Sequence, residues 1–388
     1  MSELSYMEKL LDGVEIKWEA LGDLGKVSMC KRVLKHQTSS KGDVPFYKIG
    51  TFGKEPDAYI TRELFEEYKT KYSYPQAGEV LISASGTIGR TVIFDGQDSY
   101  FQDSNIVWIE NNESEILNKY LYYFYQIVNW NVAEGGTIKR LYNDNLRKIK
   151  VPIPPLNVQA EIVRILDTFT ELTAELTAEL TVRQQQYEYY REQLLTFEEG
   201  EVEWRLLGDV TVYEQPIKYR VKSKEYNDDF LTPVLTAGKT FILGYTNEVE
   251  GIYTASKKPV IIFDDFTTAN KWVDFDFKVK SSAMKMITTA NESEVMQKYI
   301  YYWLNTLPSD LVAGDHKRQW ISNFSNKRIP IPPLAEQKRI VSILDKFDAL
   351  TTSLTEGLPR EIELRQQQYE YYRDLLLSFP KREVVAHD

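Results

Sequence analysis

The chain contains itself twice, and this repetition fixes most of what it can fold into. Arg183-Gln-Gln-Gln-Tyr-Glu-Tyr-Tyr-Arg191 recurs unchanged at Arg365–Arg373, 182 residues later. Trp18-Glu-Ala-Leu-Gly-Asp23 returns as Trp204-Arg-Leu-Leu-Gly-Asp209, and Val151-Pro-Ile-Pro-Pro-Leu156 as Ile329-Pro-Ile-Pro-Pro-Leu334. Gln159 and Asp167 within the stretch that follows pair with Gln337 and Asp345. Three collinear matches define a unit of about 180 residues: a globular block, a Pro-rich hinge, and a helical tail. The boundaries read as a first block over 1–150, hinge and central helix over 151–203, a second block over 204–328, and hinge and C-terminal helix over 329–388. Tyr6, Glu8, Leu10 and Leu11 match Tyr190, Glu192, Leu194 and Leu195, so the chain opens on a fragment of helix end, expected near the end of the last helix.

The tails carry a seam. Ile162, Leu166, Phe169, Thr173, Leu176, Leu180, Arg183, Tyr187, Tyr190, Leu194 and Phe197 follow one another at alternating steps of four and three, the heptad signature. Glu-Leu-Thr-Ala units at 171–174 and 175–178 favour helix. The spacing predicts a helix from about Val158 to Phe197, which needs a partner for its Leu and Tyr. The second copy supplies one in Ile340, Leu344, Phe347, Leu354, Leu358, Ile362, Tyr369, Tyr372, Leu376 and Phe379. That copy has four extra residues before Arg365, with Gly357 and Pro359 among them. Four residues make a stutter, and Gly with Pro predicts a kink or short break. The outer faces, near Gln184–Gln186 and Gln366–Gln368, are left over for a partner.

The blocks read as α+β. Val80–Ser83, a Gly turn at Ser85-Gly-Thr-Ile-Gly-Arg90, and Thr91–Phe94 make strand–turn–strand. Ile106–Ile109 is a further strand and Asn118–Trp130 a Tyr-rich helix. Val260–Phe263, Ala283–Ile287 and the helix Glu294–Leu304 follow in the same order in the second block. The frames match while the middles differ, as when one fold carries two specificities. Thr87 and Arg90 in the Gly turn are candidates for phosphate contact. After the block helix each copy has a Gly-led basic loop, which offers Thr137, Lys139 and Arg140 in the first and Lys317, Arg318 and Gln319 in the second. A lone Lys-Arg pair is ordinarily a solvated surface pair; its recurrence favours phosphate contact.

Catalytic signatures are missing. The sequence has no ATP-binding G-x-x-x-x-G-K-[ST], no adenine-methylating Asn/Asp-Pro-Pro-Tyr, and a G-x-x-G without the dinucleotide spacing. Asp264-Asp265 reads as a solvated acidic pair ending a strand. One cysteine, Cys30, and three scattered histidines, His36, His316 and His387, exclude a disulfide framework and a multi-cysteine metal site. No apolar run approaches a membrane span, and the N-terminus lacks signal-peptide character, so a cytoplasmic protein is expected. The net charge of −10 argues against nucleic acid when taken whole. Residues 151–203 hold 3 positive and 11 negative residues, however, against 17 and 17 in 18–150 and 16 and 15 in 204–327. Near-neutral blocks can still present basic faces.

Taken together, the W-x-x-L-G-D start, the G-E-V-L-I-S-A-S-G-T-I-G-R strand–turn, the V-P-I-P-P-L-x-x-Q-x-x-I-V-x-I-L-D-x-F hinge and the R-Q-Q-Q-Y-E-Y-Y-R tail resemble the specificity subunit of type I restriction–modification systems. The resemblance spans the whole chain. It implies two similar target-recognition domains, joined by two long helices in an antiparallel coiled coil with a pseudo-two-fold repeat. Each domain would read one half of a split, asymmetric double-stranded DNA target, with the helices setting the spacer. It implies a subunit without catalysis of its own. Two methyltransferase subunits and the restriction/translocase subunits would be its partners, with no membrane role. S-adenosylmethionine, ATP and Mg2+ would belong to those partners. Residue by residue, the alternative is a coiled-coil adaptor without DNA contact, favoured by the acidic charge; an all-in-one enzyme is disfavoured by the missing motifs.

Overall fold

The computed structural model describes residues 10–11, 13–130, 140–236, 240–308, 318–353 and 356–379. It forms two compact units: residues 1–175 with 362–388, and residues 176–361. The boundaries fall inside the two helical tails, so each unit is a block together with half of the central helix and part of the second tail.

In the first unit, Lys17–Ala20 pairs antiparallel with Lys150–Ile153, Trp18 opposite Pro152, and so closes the block where the hinge begins. An antiparallel sheet orders Val27–Ser28, Ile106–Ile109, Val80–Ser83 and Thr91–Ile93. A smaller sheet orders Tyr59–Ile60, Val44–Tyr47 and Tyr100–Phe101, the last pair parallel. The second unit repeats both. Glu203–Leu206 pairs with Arg328–Ile331, Trp204 opposite Pro330. Its sheets order Thr211–Glu214, Met284–Thr289, Val260–Asp264, Asn270–Val273, and Ile242–Thr246, Thr232–Leu235, Lys278–Val279. Helix Arg62–Lys71, capped by Thr61 Oγ1 on the Leu64 N–H, belongs to the first block. The residues between Pro216 and Phe230 in the second are a 3-10 turn and irregular chain.

The block helices are shorter than their apolar runs predict. Asn118–Phe124 stops because Tyr125 to Ile127 turn back onto it, freeing Trp130 to lie over Gly89 and beside Tyr125. Gln297–Leu304 starts three residues late because Asn291 folds Ser293 and Glu294 into a side-chain-capped turn. The central helix runs Leu156–Leu195, 40 residues, starting where the Pro155 carbonyl accepts the Val158 and Gln159 N–H groups. At 1.5 Å per residue it is ~60 Å long. The second tail breaks as expected, into Leu334–Thr351 and Gly357–Leu377. Gly357 has φ +76°, and a Cβ there would sit 2.2 Å from the Ala349 carbonyl oxygen, so the break requires glycine. Pro359 lies in the first turn, where a missing N–H costs nothing.

The seam is buried or half-buried within each unit except at Tyr190, which is 45% exposed because only one side of its ring meets the facing helix. In the first, Ile162 and Leu166 are fully buried in one cluster with Tyr372, Leu376 and Phe379, and Phe169 stacks on Tyr372 at 5.3 Å. Tyr369 is half-buried beside them and bonds Gln126. Leu10 and Leu11 pack on this cluster, as the offset to Leu194 and Leu195 predicts. In the second unit Ile340 and Leu344 are fully buried, Leu195 joins their cluster, and Tyr187 and Leu194 pack against it. The Phe347 ring lies 6.1 Å from Tyr187 and 5.7 Å from Tyr190. Leu176 and Leu180 are half-buried. The first half of the central helix thus meets the later part of the second tail, and its second half the earlier part, the order that antiparallel pairing gives. Leu354 lies outside the described residues.

Candidate nucleic-acid interface

In the first block the sequence-predicted residues come together around the Gly turn. The Ser83 hydroxyl donates to the Thr87 carbonyl at 2.5 Å and accepts the Arg90 N–H at 2.8 Å. Gly89, at φ +82°, has the Trp130 indole 2.1 Å from where a Cβ would be, so no other residue fits. Thr87 is exposed at the tip. Arg90 Nη1 donates to the Phe52 carbonyl at 2.9 Å. Arg140 bridges to Ser85 through the backbone, and its Nη2 donates to the Ser104 carbonyl at 2.7 Å. Each guanidinium is aimed by one carbonyl, which leaves further N–H groups for an acceptor. Thr137 and Lys139 lie outside the described residues.

The second block builds the same place differently. Asp264 Oδ1 accepts the N–H groups of Phe266 and Thr267, and Oδ2 accepts the Thr267 hydroxyl, giving a tight turn without the glycines. Asp265 anchors the returning loop: its carbonyl accepts the Gln319 N–H at 2.8 Å and its Oδ1 the Trp320 N–H at 2.9 Å. Its Oδ2 lies 3.4 Å from Lys285 Nζ. The expectation of a solvated acidic pair fails, because Asp264 and Asp265 are 5% and 1% exposed and serve as turn and helix caps. Arg318 is exposed at the head of the short helix Gln319–Ser322, whereas Gln319 is buried and accepts from Asn323. Lys317 lies outside the described residues.

A second basic feature was missed in the sequence. Lys218, Arg220, Lys222 and Lys224 are all exposed, and they alternate with the half-buried Tyr219, Val221 and Ser223. The period of two, readable in the sequence, puts Arg220, Lys222 and Lys224 on one face of an extended strip that follows Lys218 in its 3-10 turn; Lys218 pairs with Glu214 at 2.6 Å and Lys222 with Glu250 at 3.2 Å. Backbone bonds hold the strip: the Val221 N–H reaches Val279, and the Lys222 and Ser223 N–H groups both reach Glu248 Oε1 at 2.8 Å. Partial burial pushes the Glu248 carboxyl up, but the Ser223 N–H, the buried Lys278 ammonium at 3.1 Å and the Lys222 N–H outweigh it and hold the group below its ordinary value. Lys31, Arg32, Lys35 and Lys41 are exposed in the corresponding stretch of the first block, after Val27–Ser28. Cations of this kind attract a phosphate backbone.

Among the described residues, no cluster of three or more His, Cys, Asp or Glu is placed to hold a metal, and no helix is long and apolar enough to cross a membrane.

Two copies of one α+β block, each with a basic loop face and each seated on its own stretch of paired helix, define a class of paired recognition modules. The profile of the type I restriction modification DNA specificity domain matches residues 15–182 and again 200–364, so the chain belongs to the type I restriction–modification specificity subunits. The relatives bear this out. The specificity subunit of EcoR124I/EcoR124II from Escherichia coli is 65% identical over 191 residues, covering 47% of this chain and 46% of that protein. The EcoprrI specificity subunit, also from Escherichia coli, is 28% identical over 404 residues, covering 92% and 93%. The chain thus spans about half the length of the more similar relative and nearly all of the other. The crystal structure of a type I system S subunit from M. genitalium shares the fold, with a TM-score of 0.62 at 14% identity, over 95% of this chain and 98% of that one. These relatives are specificity subunits.

Proposed function

We propose that this chain reads a two-part DNA target, one half-site per block, and carries that address to methyltransferase and restriction subunits in the cytoplasm. The observation that carries the reading is a shared frame with dissimilar faces. Strand order and hinge pairing are the same in both units, while the Gly turn of one is an Asp-capped turn in the other. Dissimilar faces fit dissimilar half-sites, and base edges in the major groove would be read by polar side chains of these loops. Thr87, Arg90, Arg140, Arg318 and the 218–224 strip would contact phosphate, along with Thr137, Lys139 and Lys317 on the same loops, whereas Gln319 is buried and would not. The helical tails would set the unread spacer. Two methyltransferase subunits would supply S-adenosylmethionine chemistry, and restriction/translocase subunits the ATP- and Mg2+-dependent steps.

Mapping methylated adenines in cells that hold this chain and its own methyltransferase subunits tests the reading. A split motif with one spacer length is expected. Inserting one more Glu-Leu-Thr-Ala unit after Ala178 lengthens the helix by ~6 Å, and with ~3.4 Å per base pair the spacer should grow by one or two base pairs. Half-sites should stay the same. A continuous motif, or altered half-sites on insertion, contradicts it. The opposing reading, an acidic coiled-coil adaptor, requires that no DNA binding appear with or without those partners.

A further inference from the structure

Away from the loop faces, both units build the same polar clamp between block and helix, buried at its glutamine and partly exposed at its aspartate. In the first, the Gln159 side chain is fully buried. It accepts the Leu117 N–H at 2.8 Å and donates to the carbonyls of Glu115 at 2.9 Å and Pro154 at 2.7 Å. Two helical turns on, Asp167 accepts the Tyr123 hydroxyl at 2.6 Å and Lys119 Nζ at 2.7 Å. Tyr120 donates to the Pro152 carbonyl at 3.0 Å. In the second unit Gln337 accepts the Met296 N–H at 2.8 Å and donates to Glu294 at 3.0 Å and Pro332 at 2.9 Å. Asp345 accepts the Tyr302 hydroxyl and Lys298 Nζ, and Tyr299 donates to Pro330 at 2.9 Å. Burial, reinforced by the facing carboxylate, pushes the Tyr123 and Tyr302 hydroxyls well above their ordinary value, so both remain donors.

Apolar packing alone would hold block to helix, since both lie in one hydrophobic cluster in each unit. Hydrophobic contact is non-directional and tolerates small rotations. A buried amide with three bonds does not, because breaking any of them leaves a polar group without water. Five matched residues tie the block helix, the segment before it, the Pro-rich hinge and the long helix into one orientation.

We propose that this duplicated clamp sets the stringency of spacer length, with Gln159, Asp167, Gln337 and Asp345 as positioning residues. The inference rests on the two-part DNA reading above. Neighbouring spacer lengths differ by ~3.4 Å of rise and, at 10–10.5 base pairs per turn, by about 35° of rotation around the DNA axis. A block locked to its helix rejects such a shift, and a loosened one accepts it.

The test measures methylation by the assembled methyltransferase on duplexes whose half-sites are separated by the native spacer, one base pair more, and one fewer. The variants are Gln159→Met and Tyr123→Phe. The off-length to native-length ratio should rise at least tenfold with half-site preference unchanged. A merely structural role lowers methylation on every duplex and leaves the ratio alone, and that result overturns the proposal. If Gln159→Met does not accumulate folded, Tyr123→Phe, which loses only a hydroxyl, decides by the same ratio. Wild-type protein that shows no split motif would sink the DNA reading and the clamp with it. A wild-type split motif with unmoved variants would sink the clamp alone.

Discussion

Lys285 is a buried cation in strand Met284–Thr289 of the second block. It is 0% exposed, and Asp265, its partner at 3.4 Å, is 1% exposed. Strand register shows what it replaces. Lys285 lies opposite Phe263 as Val107 lies opposite Ile82, and Asp265 stands where Ala84 does, its N–H reaching Ala283 and its carbonyl accepting Gln319 as those of Ala84 reach Asn105 and accept Leu141. The second block therefore holds an ion pair where the first holds Val and Ala. Lys285→Ile would leave the Asp265 carboxylate buried without a cation, which costs about 3–5 kcal/mol. Asp265→Ser with Lys285→Ile leaves the position uncharged, as it is in the first block, and removing both charges of a buried pair is often neutral or even stabilising. We expect the double variant to recover most of the loss, a coupling of about 2–4 kcal/mol. The assay is urea unfolding followed by fluorescence, with Trp320 as local reporter, since its N–H is capped by Asp265. The loss should persist in high salt, because a dry pair is little screened. A Lys285→Ile cost near 1 kcal/mol, or a double variant no better than the single, would refute the account.

Two further outcomes follow from the basic strip. Arg220→Ala with Lys224→Ala should weaken binding to all DNA sequences alike and flatten the salt dependence by about one power of salt concentration for each phosphate the strip no longer neutralises, without changing the methylated motif; an unchanged slope on titration with salt removes the strip from the interface. Because the Glu248 carboxyl is held below its ordinary value of 4.5, its support of the strip is present above that pH and fades as pH falls through the lowered value. Glu248→Gln should accordingly speed hydrogen exchange at the Lys222 and Ser223 amides near neutral pH, and equal protection in the two proteins would show that the charge plays no part.

Much of this organisation was legible in the residues, for physical reasons that differ by element. Nine identical residues, a 3–4 spacing and paired Pro-rich hinges are local signals, and each maps onto a helix or hinge strand in the structure. The break at Gly357 was legible because only glycine takes the left-handed turn. Helix Asn118–Phe124 was over-extended because the apolar run through Trp130 looks helical, while tertiary packing over Gly89 claims the tryptophan. Asp265 and Lys285 could not have been joined from sequence: twenty residues separate them, and each alone looks like an ordinary surface charge. The alternating cations at 218–224 were in plain view, but a chain with a net charge of −10 draws attention away from a local strip.

The internal repeat turns these observations into a comparison that a single copy could not offer. Burying polar groups is expensive, so where both units bury the same ones, as with Gln159 and Gln337, the shared geometry is what requires them. Where only one unit buries them, as Asp265 and Lys285 stand against Ala84 and Val107, the polar groups lie beneath the loops that differ. One set fixes the block on its helix; the other fixes the shape of the face it presents. If the chain reads a two-part DNA target as proposed, a substitution in the first set should change where it accepts the two half-sites, and one in the second set which bases it accepts there.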